Sequence, residues 1–313
     1  MGESCLTVPE TLADIAARRP ALRPVLETFR PLLETRAALT ADVKEAVAAA
    51  VTLPPFSAER AAQGAPLMAG LSTRGLGDPL RTAARPLLPL LYAFEPPARH
   101  RDALEALFLK EGGTAPEQLL EALVSGNGPD FQRLAAEAAV PPEVLAFVLE
   151  FVAAPVMRAL ALRAQPADGG EAPWNGAAVW TQGYCPVCGS PPVIATLDKR
   201  VFDEKNAFLA GGGGRKRLHC GLCATSWTFR RATCPSCGRQ GNEVMEILRE
   251  SGDASGERLD WCVHCKTYCP TVDLRERESV PDMDAAALGM LHLDMVASRR
   301  GLRPLRPSFW NMF

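Results

Sequence analysis

Four Cys-x-x-Cys pairs lie within 81 residues of the 313-residue chain: Cys185/Cys188, Cys220/Cys223, Cys234/Cys237 and Cys262/Cys265. At this spacing two thiolates from one tight turn can face one metal ion, so two pairs make a tetrahedral four-sulfur site and four pairs make two. The block repeats internally. Cys185-Pro186-Val187-Cys188-Gly189 matches Cys234-Pro235-Ser236-Cys237-Gly238, and each is followed by a plainer pair. Proline after the first cysteine fixes φ, and glycine after the second takes the left-handed conformation without steric cost. Read as two copies, the first site is Cys185, Cys188, Cys220 and Cys223, and the second is Cys234, Cys237, Cys262 and Cys265; interleaved and nested pairings stay open. A four-sulfur donor set suits two iron ions of the rubredoxin type or two zinc ions equally. Four thiolates leave no open position for water or substrate, so structural support or one-electron chemistry is expected rather than metal-centred hydrolysis.

Other residues near these pairs have plainer readings. His219 and His264 lie beside or between the cysteines, but eight thiolates already satisfy two ions, so neither ring is expected as a ligand. Cys269 reads as a small buried apolar residue and Cys5 as part of a loose terminus. Trp227 and Trp261 flank cysteine pairs and are expected to pack over them. Asp282 and Asp284 stand where a helix begins and suit its dipole. Gly211 to Gly214 read as a loop tip within the first metal loop, since no phosphate-binding fingerprint surrounds them. The chain carries no Ser/His/Asp constellation, paired catalytic carboxylates or Walker sequence, so no enzyme is expected.

Charge narrows the partners. The net charge is −2, which gives no global field toward nucleic acid or anionic membrane. Between Thr181 and Pro270 there are 12 Lys/Arg against 9 Asp/Glu, a net of +3. Eight thiolates with two dications add −4, so the loaded region sits near −1. Arg215, Lys216, Arg217, Arg230 and Arg231 then read partly as counter-charges for anionic metal centres, and a nucleic-acid-binding ribbon is disfavoured.

The elements that must position the cysteines fall into two kinds. Residues 1–165 are rich in Ala and Leu, and Leu22, Val25, Leu26, Phe29, Leu32 and Leu33 make one apolar helical face, with a kink or break expected at Pro31. Further helices are expected near 40–51, 79–94, 99–110, 116–124, 129–139 and 142–163. The apolar stretch Leu145 to Leu162, broken by Glu150, Pro155 and Arg158, reads as a buried helix pair and not a membrane span. Residues 166–180 read as a linker. Short β-prone runs (Val193–Leu197, Ser226–Arg230, Val244–Leu248, Tyr268–Leu274) then alternate with the cysteine pairs. The expected architecture is α+β: a helical domain over 1–165, a first four-cysteine module over 181–231, a second over 232–278, and a C-terminal helix and tail over 279–313. The tail, with Pro304, Pro307, Phe309, Trp310 and Phe313, is expected to dock on the body or on a partner. The start, Met1 to Pro20, has no apolar core of a secretory signal, so a cytoplasmic protein with reduced thiols is expected.

At these residues the chain resembles the formate dehydrogenase accessory protein family, FdhE. The resemblance lies in Tyr184-Cys-Pro-Val-Cys-Gly-Ser190, Leu218-His-Cys-Gly-Leu-Cys223, the Trp227 strand leading through Arg230-Arg231 to Cys234-Pro-Ser-Cys237, and Cys262-Val-His-Cys-Lys-Thr-Tyr268. It runs from about 184 to 274 and extends into the acidic helix start Asp282 to Asp294. It departs from the family pattern at Arg215-Lys216-Arg217, at Cys269 and in the tail ending Arg306 to Trp310. The resemblance implies a cytoplasmic maturation chaperone that binds the catalytic (alpha) subunit of a respiratory formate dehydrogenase before export. It also implies two rubredoxin-like or zinc-ribbon modules, with metal on each of the eight cysteines. It implies no nucleic acid and no membrane insertion, and a homodimer stays open. The rival readings are a rubredoxin-like electron carrier and a zinc-ribbon nucleic-acid binder.

Overall fold

The first helix begins where Thr7 and Glu10 exchange hydrogen bonds: the Thr7 hydroxyl accepts from the Glu10 amide, and the Glu10 carboxylate accepts from the Thr7 amide at 2.8 Å. That exchange satisfies two of the orphan donors at a helix start. The computed structural model describes residues 4–176, 179–199, 214–252, 255–308 and 310–311. Its first part is helical: α1 (Val8–Arg18), α2 (Arg23–Asp42), α3 (Lys44–Ala50), α4 (Ala58–Ala62), α5 (Gly77–Leu91), α6 (Glu95–Arg99), α7 (Arg101–Leu109), α8 (Ala115–Ser125), α9 (Gly128–Glu137) and α10 (Pro142–Arg163). Proline stands in the first turn of α8, α9 and α10, where its missing amide costs no helical bond.

Two expected breaks do not occur. Helix α2 is continuous through Pro31, because Leu26, Phe29, Leu32 and Leu33 keep one buried face. The expected helix pair over Leu145–Leu162 is one helix, α10, continuous through Pro155 and buried on nearly every side of its central turns. A proline inside a helix costs about 3 kcal/mol, and burying a few large apolar side chains at about 1.5–3 kcal/mol each outweighs it. Among the described residues α10 alone is long and apolar enough to cross a membrane, and 83% of its apolar window is buried inside the protein. It packs against α2 and α5, and Phe29, Phe94, Phe147 and Phe151 form a chain of ring contacts with centroids 4.8–5.5 Å apart.

The sheet explains the cysteine repeat. Strands β1 (Ile194–Leu197), β2 (Lys216–His219) and β3 (Ser226–Phe229) form one antiparallel set, and β4 (Met245–Leu248), β5 (Glu257–Cys262) and β6 (Thr267–Asp273) form a second. In each set the plain cysteine pair makes the hairpin turn between the second and third strands: His219 faces Ser226, and Trp261 faces Tyr268. Parallel pairing of β1 with β6 joins the two sets into one sheet of order β3-β2-β1-β6-β5-β4. The architecture is the expected α+β one. Helices precede two four-cysteine modules of the zinc-ribbon kind, and a C-terminal helix follows, here in two segments, α11 (Met283–Gly289) and α12 (Leu291–Arg299).

The ends of the chain fasten the halves together. Cys5, expected in a loose terminus, lies in a parallel bridge with Val280, and Leu6 donates to the Val280 carbonyl at 2.8 Å. Helix α11 packs on α1, α2 and β1. The tail docks on the body: the two-residue strand β7 (Arg303–Pro304) pairs with β6, and Trp310 meets Phe29 edge-on at 5.5 Å. Phe309 and Phe313 lie outside the described residues, as do Gly211 to Gly213.

Two predictions arise from this packing. The backbone of Gly183 passes so close to that of Pro235 that an added Cβ would stand 1.9 Å from the Pro235 carbonyl oxygen. Gly183→Ala is therefore expected to destabilise the chain by about 2 kcal/mol or more, read as a lowered Tm; an unchanged Tm would mean the two knuckles do not touch. Asp294 on α12 is buried beside Tyr268, and burial outweighs the Tyr268 hydroxyl and pushes its pKa up to about 7. The folded chain then holds a proton that the unfolded chain releases, so this group's contribution to stability falls as pH rises from about 4 to about 7. Melting Asp294→Asn at pH 5 and pH 8 should show a clearly larger advantage over the parent at pH 8 than at pH 5. An equal difference at both pH values would contradict the assignment.

Candidate metal centres

Each four-sulfur group is built from one knuckle and one hairpin turn. In the first, Sγ of Cys185 and Cys223 are 3.5 Å apart and Sγ of Cys188 and Cys220 are 3.5 Å apart. In the second, Cys234 and Cys265 are separated by 3.6 Å, and Cys237 and Cys262 by 3.8 Å. Within each group all four sulfurs lie within 4.8 Å of one another. A tetrahedral ion with metal–sulfur bonds of about 2.3 Å needs sulfur–sulfur distances of about 3.8 Å, and a disulfide needs about 2.05 Å. The spacing suits the first and not the second, and either group could hold a metal ion. The geometry adopts the sequential pairing.

The local backbone shows why these turns form. In each knuckle or turn the amide four residues beyond the first cysteine donates to that cysteine's carbonyl: Gly189 to Cys185, Ala224 to Cys220, Gly238 to Cys234 and Lys266 to Cys262, at 2.8–3.0 Å. Those four donors all carry positive φ, from 58° to 80°. Glycine does this freely. Ala224 and Lys266 do it at a steric cost of about 1–2 kcal/mol, which the turn hydrogen bond and the sulfur geometry offset. Backbone amides also point at sulfur, Val187 toward Cys185 at 3.4 Å and Cys237 toward Cys234 at 3.5 Å. One feature escaped the sequence reading: a threonine follows the last cysteine of each group by two residues. Thr225 Oγ1 lies 3.2 Å from Sγ of Cys223, and Thr267 Oγ1 lies 2.9 Å from Sγ of Cys265. The repeated Cys-x-Thr was there to be read.

The two groups differ in surroundings. All four cysteines of the first are buried, whereas in the second Cys237 is exposed and Cys265 half-buried. The first belongs to the same hydrophobic core as the helices; the second sits with Val244 and Met245 in a small cluster of its own. The helical part grips the first knuckle directly: the amides of Leu67 and Met68 donate to the carbonyls of Pro186 and Val187 at 2.8 and 2.9 Å, and the Tyr184 hydroxyl donates to Gly64.

Charge is arranged differently from expectation. Arg215 pairs with Glu171, Lys216 with Asp260 and Arg217 with Asp198, at 2.7–2.9 Å, while Arg230 and Arg231 are exposed. The three basic residues of the β2 approach are thus spent on carboxylates. The guanidiniums around the first group come from elsewhere. Arg158 of α10 donates to the Gly221 carbonyl, between Cys220 and Cys223, at 2.9 Å, and to Asp284 at 2.6 Å. Arg36 of α2 reaches the same Asp284 oxygen at 2.9 Å. Arg306 of the tail pairs with Glu150 at 3.1 Å and reaches the Pro191 carbonyl at 3.5 Å. Burial alone would raise the Asp284 pKa, but the two guanidiniums outweigh it and hold the carboxyl down at about 2. Asp284, expected only to suit a helix dipole, is a buried ionic hub; Asp282 does cap α11, accepting from the Ala285 amide at 3.0 Å.

The remaining residues fall where their chemistry puts them. His219 Nδ1 lies 2.9 Å from the Ser226 hydroxyl, and burial lowers its pKa. His264 is exposed with Nδ1 2.8 Å from Arg239. Neither ring stands in a sulfur group. Cys269 is buried, and burial pushes its thiol up to about 12, which fits a small core residue and not a reactive thiol. Trp227 is buried and donates to the Gln182 carbonyl; Trp261 is half-buried with the Lys266 ammonium 5.1 Å from its ring centre. Within the segment expected as linker, Trp174 is buried and donates to the Ser226 carbonyl on β3 at 3.3 Å.

No family model matches the chain. It is 27% identical over 132 residues to the protein FdhE homolog of Aquifex aeolicus (strain VF5), covering 42% of each chain. It is 33% identical over 122 residues to that of Shewanella baltica (strain OS185), covering 38% of this chain and 36% of the other. The matches thus span less than half the length of these relatives. The crystal structure of the FdhE protein from Pseudomonas aeruginosa superimposes with a TM-score of 0.61 over 97% of this chain and 94% of that one, at 22% identity. The chain therefore resembles FdhE proteins in sequence over part of its length and in fold over nearly all of it.

Proposed function

We propose that this chain, similar to FdhE proteins in fold and in part of its sequence, is a cytoplasmic, non-enzymatic accessory protein. It binds the catalytic subunit of a respiratory formate dehydrogenase and assists its assembly before export. Two metal ions, iron or zinc, are held by Cys185, Cys188, Cys220 and Cys223 and by Cys234, Cys237, Cys262 and Cys265. The observation that carries the reading is the pair of four-sulfur groups at tetrahedral spacing within a fold shared with an FdhE protein. In each group the donor set is closed, so the ion supplies cross-linking, and with iron a one-electron couple, but no open position for a substrate. This chain's residues do the rest. Backbone amides and threonine hydroxyls hold the sulfurs, and the knuckles hold the surface that meets the partner.

Expressing the full chain beside a formate dehydrogenase catalytic subunit should yield a complex that co-purifies, and deleting the chain should lower formate oxidation. Separate purification of the two proteins together with undiminished formate oxidation would reject the reading. One observation favours a second reading, a rubredoxin-like electron carrier: the second group opens to solvent at Cys237. Reversible one-electron cycling with iron bound, and no complex with the catalytic subunit, would select it. A nucleic-acid-binding ribbon predicts DNA or RNA retention that weakens steeply with salt.

A further inference from the structure

We propose that the groove between the end of α12 and the docked tail is a binding site for an acidic peptide segment of another protein, with Arg299, Arg300 and Arg303 as its cationic rim. The groove's own chemistry selects this occupant, whether or not the partner is a formate dehydrogenase subunit.

A cavity of about 640 Å³ lies there, within the usual range of preformed ligand sites. Its walls include Thr267 and Tyr268 of β6, Ser298 of α12, and Leu302, Leu305 and Asn311 of the tail. Hydrogen bonds fix the tail wall. The Arg303 amide donates to the Lys266 carbonyl at 2.9 Å, and the Leu305 amide donates to the Tyr268 carbonyl at 2.8 Å. Farther along, the Ser308 amide donates to the Asn311 carboxamide oxygen at 2.6 Å, and the Asn311 side-chain amide donates to the Arg306 carbonyl at 3.3 Å. A peptide meets a formed site and orders little of the chain on binding, which lowers the cost of association.

The rim carries positive charge that the fold does not use. Arg299, Arg300 and Arg303 are exposed, and among the described residues no carboxylate stands at ion-pair distance from any of them. Arg299 and Arg300 suit the carboxyl end of α12, but Arg303 lies past it, on β7, and lines the groove. Lys266, at the second cysteine turn, is also exposed and meets the Trp261 ring rather than a carboxylate. Against these four cations stand few anions. Glu246, facing Trp261 across the β4–β5 pair, is exposed and unpaired. Glu250 is committed to Arg19. Asp294 is buried beside Tyr268 with its pKa pushed up to about 7, so it carries only part of a charge near neutrality. The surplus is positive, and a partner with Asp or Glu beside an apolar anchor complements it.

The shape favours a peptide over a bilayer, since a concave pocket takes side chains and a bilayer is a broad surface. The exposed large apolar side chains of α12 are Met295 and Val296, too little area to hold a membrane. Nucleic acid is disfavoured by the net charge of −2 and because Trp261 carries the Lys266 ammonium 5.1 Å from its ring centre, not a bare stacking face.

The test pans short random peptides displayed on phage against the full-length chain, then titrates the enriched peptides by fluorescence anisotropy. Enriched sequences should carry several Asp or Glu beside an apolar residue. The double variant Arg299→Glu/Arg303→Glu should weaken them about tenfold or more. Arg230→Glu/Arg231→Glu, with the same change in net charge, should stay within about twofold of the parent. Ser298→Trp keeps every cation but fills the groove, and it too should weaken binding about tenfold or more. All variants change exposed side chains, and a Tm matching the parent shows that each remains folded. No enrichment, enriched peptides without an acidic excess, or equal weakening by the two double variants would overturn the site. So would undiminished binding by Ser298→Trp, since a charged surface would then suffice without the groove. Phosphatidylglycerol vesicles that bind through the same arginines and displace the peptide would also overturn it, assigning the face to a membrane.

Discussion

Asp284→Asn is expected to cost the chain about 3–5 kcal/mol, the usual cost of removing one partner from a buried ion pair. A domain has only about 5–15 kcal/mol in total, so the variant should be barely folded at 37 °C. The size follows from geometry. One Asp284 oxygen accepts from Arg158 at 2.6 Å and from Arg36 at 2.9 Å, and all three side chains are nearly inaccessible. Neither arginine has a second carboxylate at ion-pair distance among the described residues, and the Nε atoms of both already lack hydrogen-bond partners. The hub ties α2, α10 and α11 to the turn carrying Cys220 and Cys223, so losing it strands two guanidiniums at the junction of helices and sheet. The folded pKa of Asp284 lies near 2, below its ordinary 3.8. Its stabilisation is therefore complete above about pH 4 and is lost as pH falls toward 2. Asp282→Asn is the control, costing only cap energy of about 1 kcal/mol or less. Thermal melts at pH 7 check both; an Asp284→Asn Tm within two degrees of the parent would contradict the hub.

Cys220→Ser and Cys237→Ser should diverge sharply although the sequence makes their groups look alike. Structural metal binding by four thiolates is worth about 10–16 kcal/mol of apparent folding free energy. In the first group that energy would be coupled to the main core, which takes in Cys185, Cys188, Cys220 and Cys223 together with the helices. Cys220→Ser is therefore expected to leave a chain without cooperative melting and without near-ultraviolet circular dichroism. The second group stands in a small cluster with Cys237 open to solvent, so Cys237→Ser should lose one metal and keep the main melting transition. Metal content and circular dichroism of the two variants decide it; equal loss of structure in both would contradict the asymmetry.

The sequence shows the sulfur groups clearly because their signal is local. A knuckle closes within five residues, and the repeat of Cys-Pro-x-Cys-Gly followed by a plain pair is visible by eye. Helices with an apolar stripe, such as α5 and α8, are legible for the same reason. What escapes is what depends on distant partners. Strands β2 and β5 carry Lys216, Arg217, Glu257, Arg258 and Asp260 where an apolar alternation is expected. These charges are tolerated only because Lys216 finds Asp260 across the sheet and Glu257 finds Arg18 and Arg19 from α1. The roles of Asp284 and Arg306 are invisible for the same reason, since their partners lie more than a hundred residues away. Helix α1 is a different kind of miss. Its Thr7-x-x-Glu10 start was present in the sequence, and so was the Cys-x-Thr that puts a hydroxyl against the last sulfur of each group.

We propose that the eight cysteines hold two metal ions in all-sulfur sites. It is tested most directly by metal analysis and X-ray absorption on untagged chain purified without oxygen. Two ions per chain are expected, each with four sulfurs at about 2.3 Å. Fewer than one ion per chain, or nitrogen and oxygen in the first coordination sphere, would contradict it.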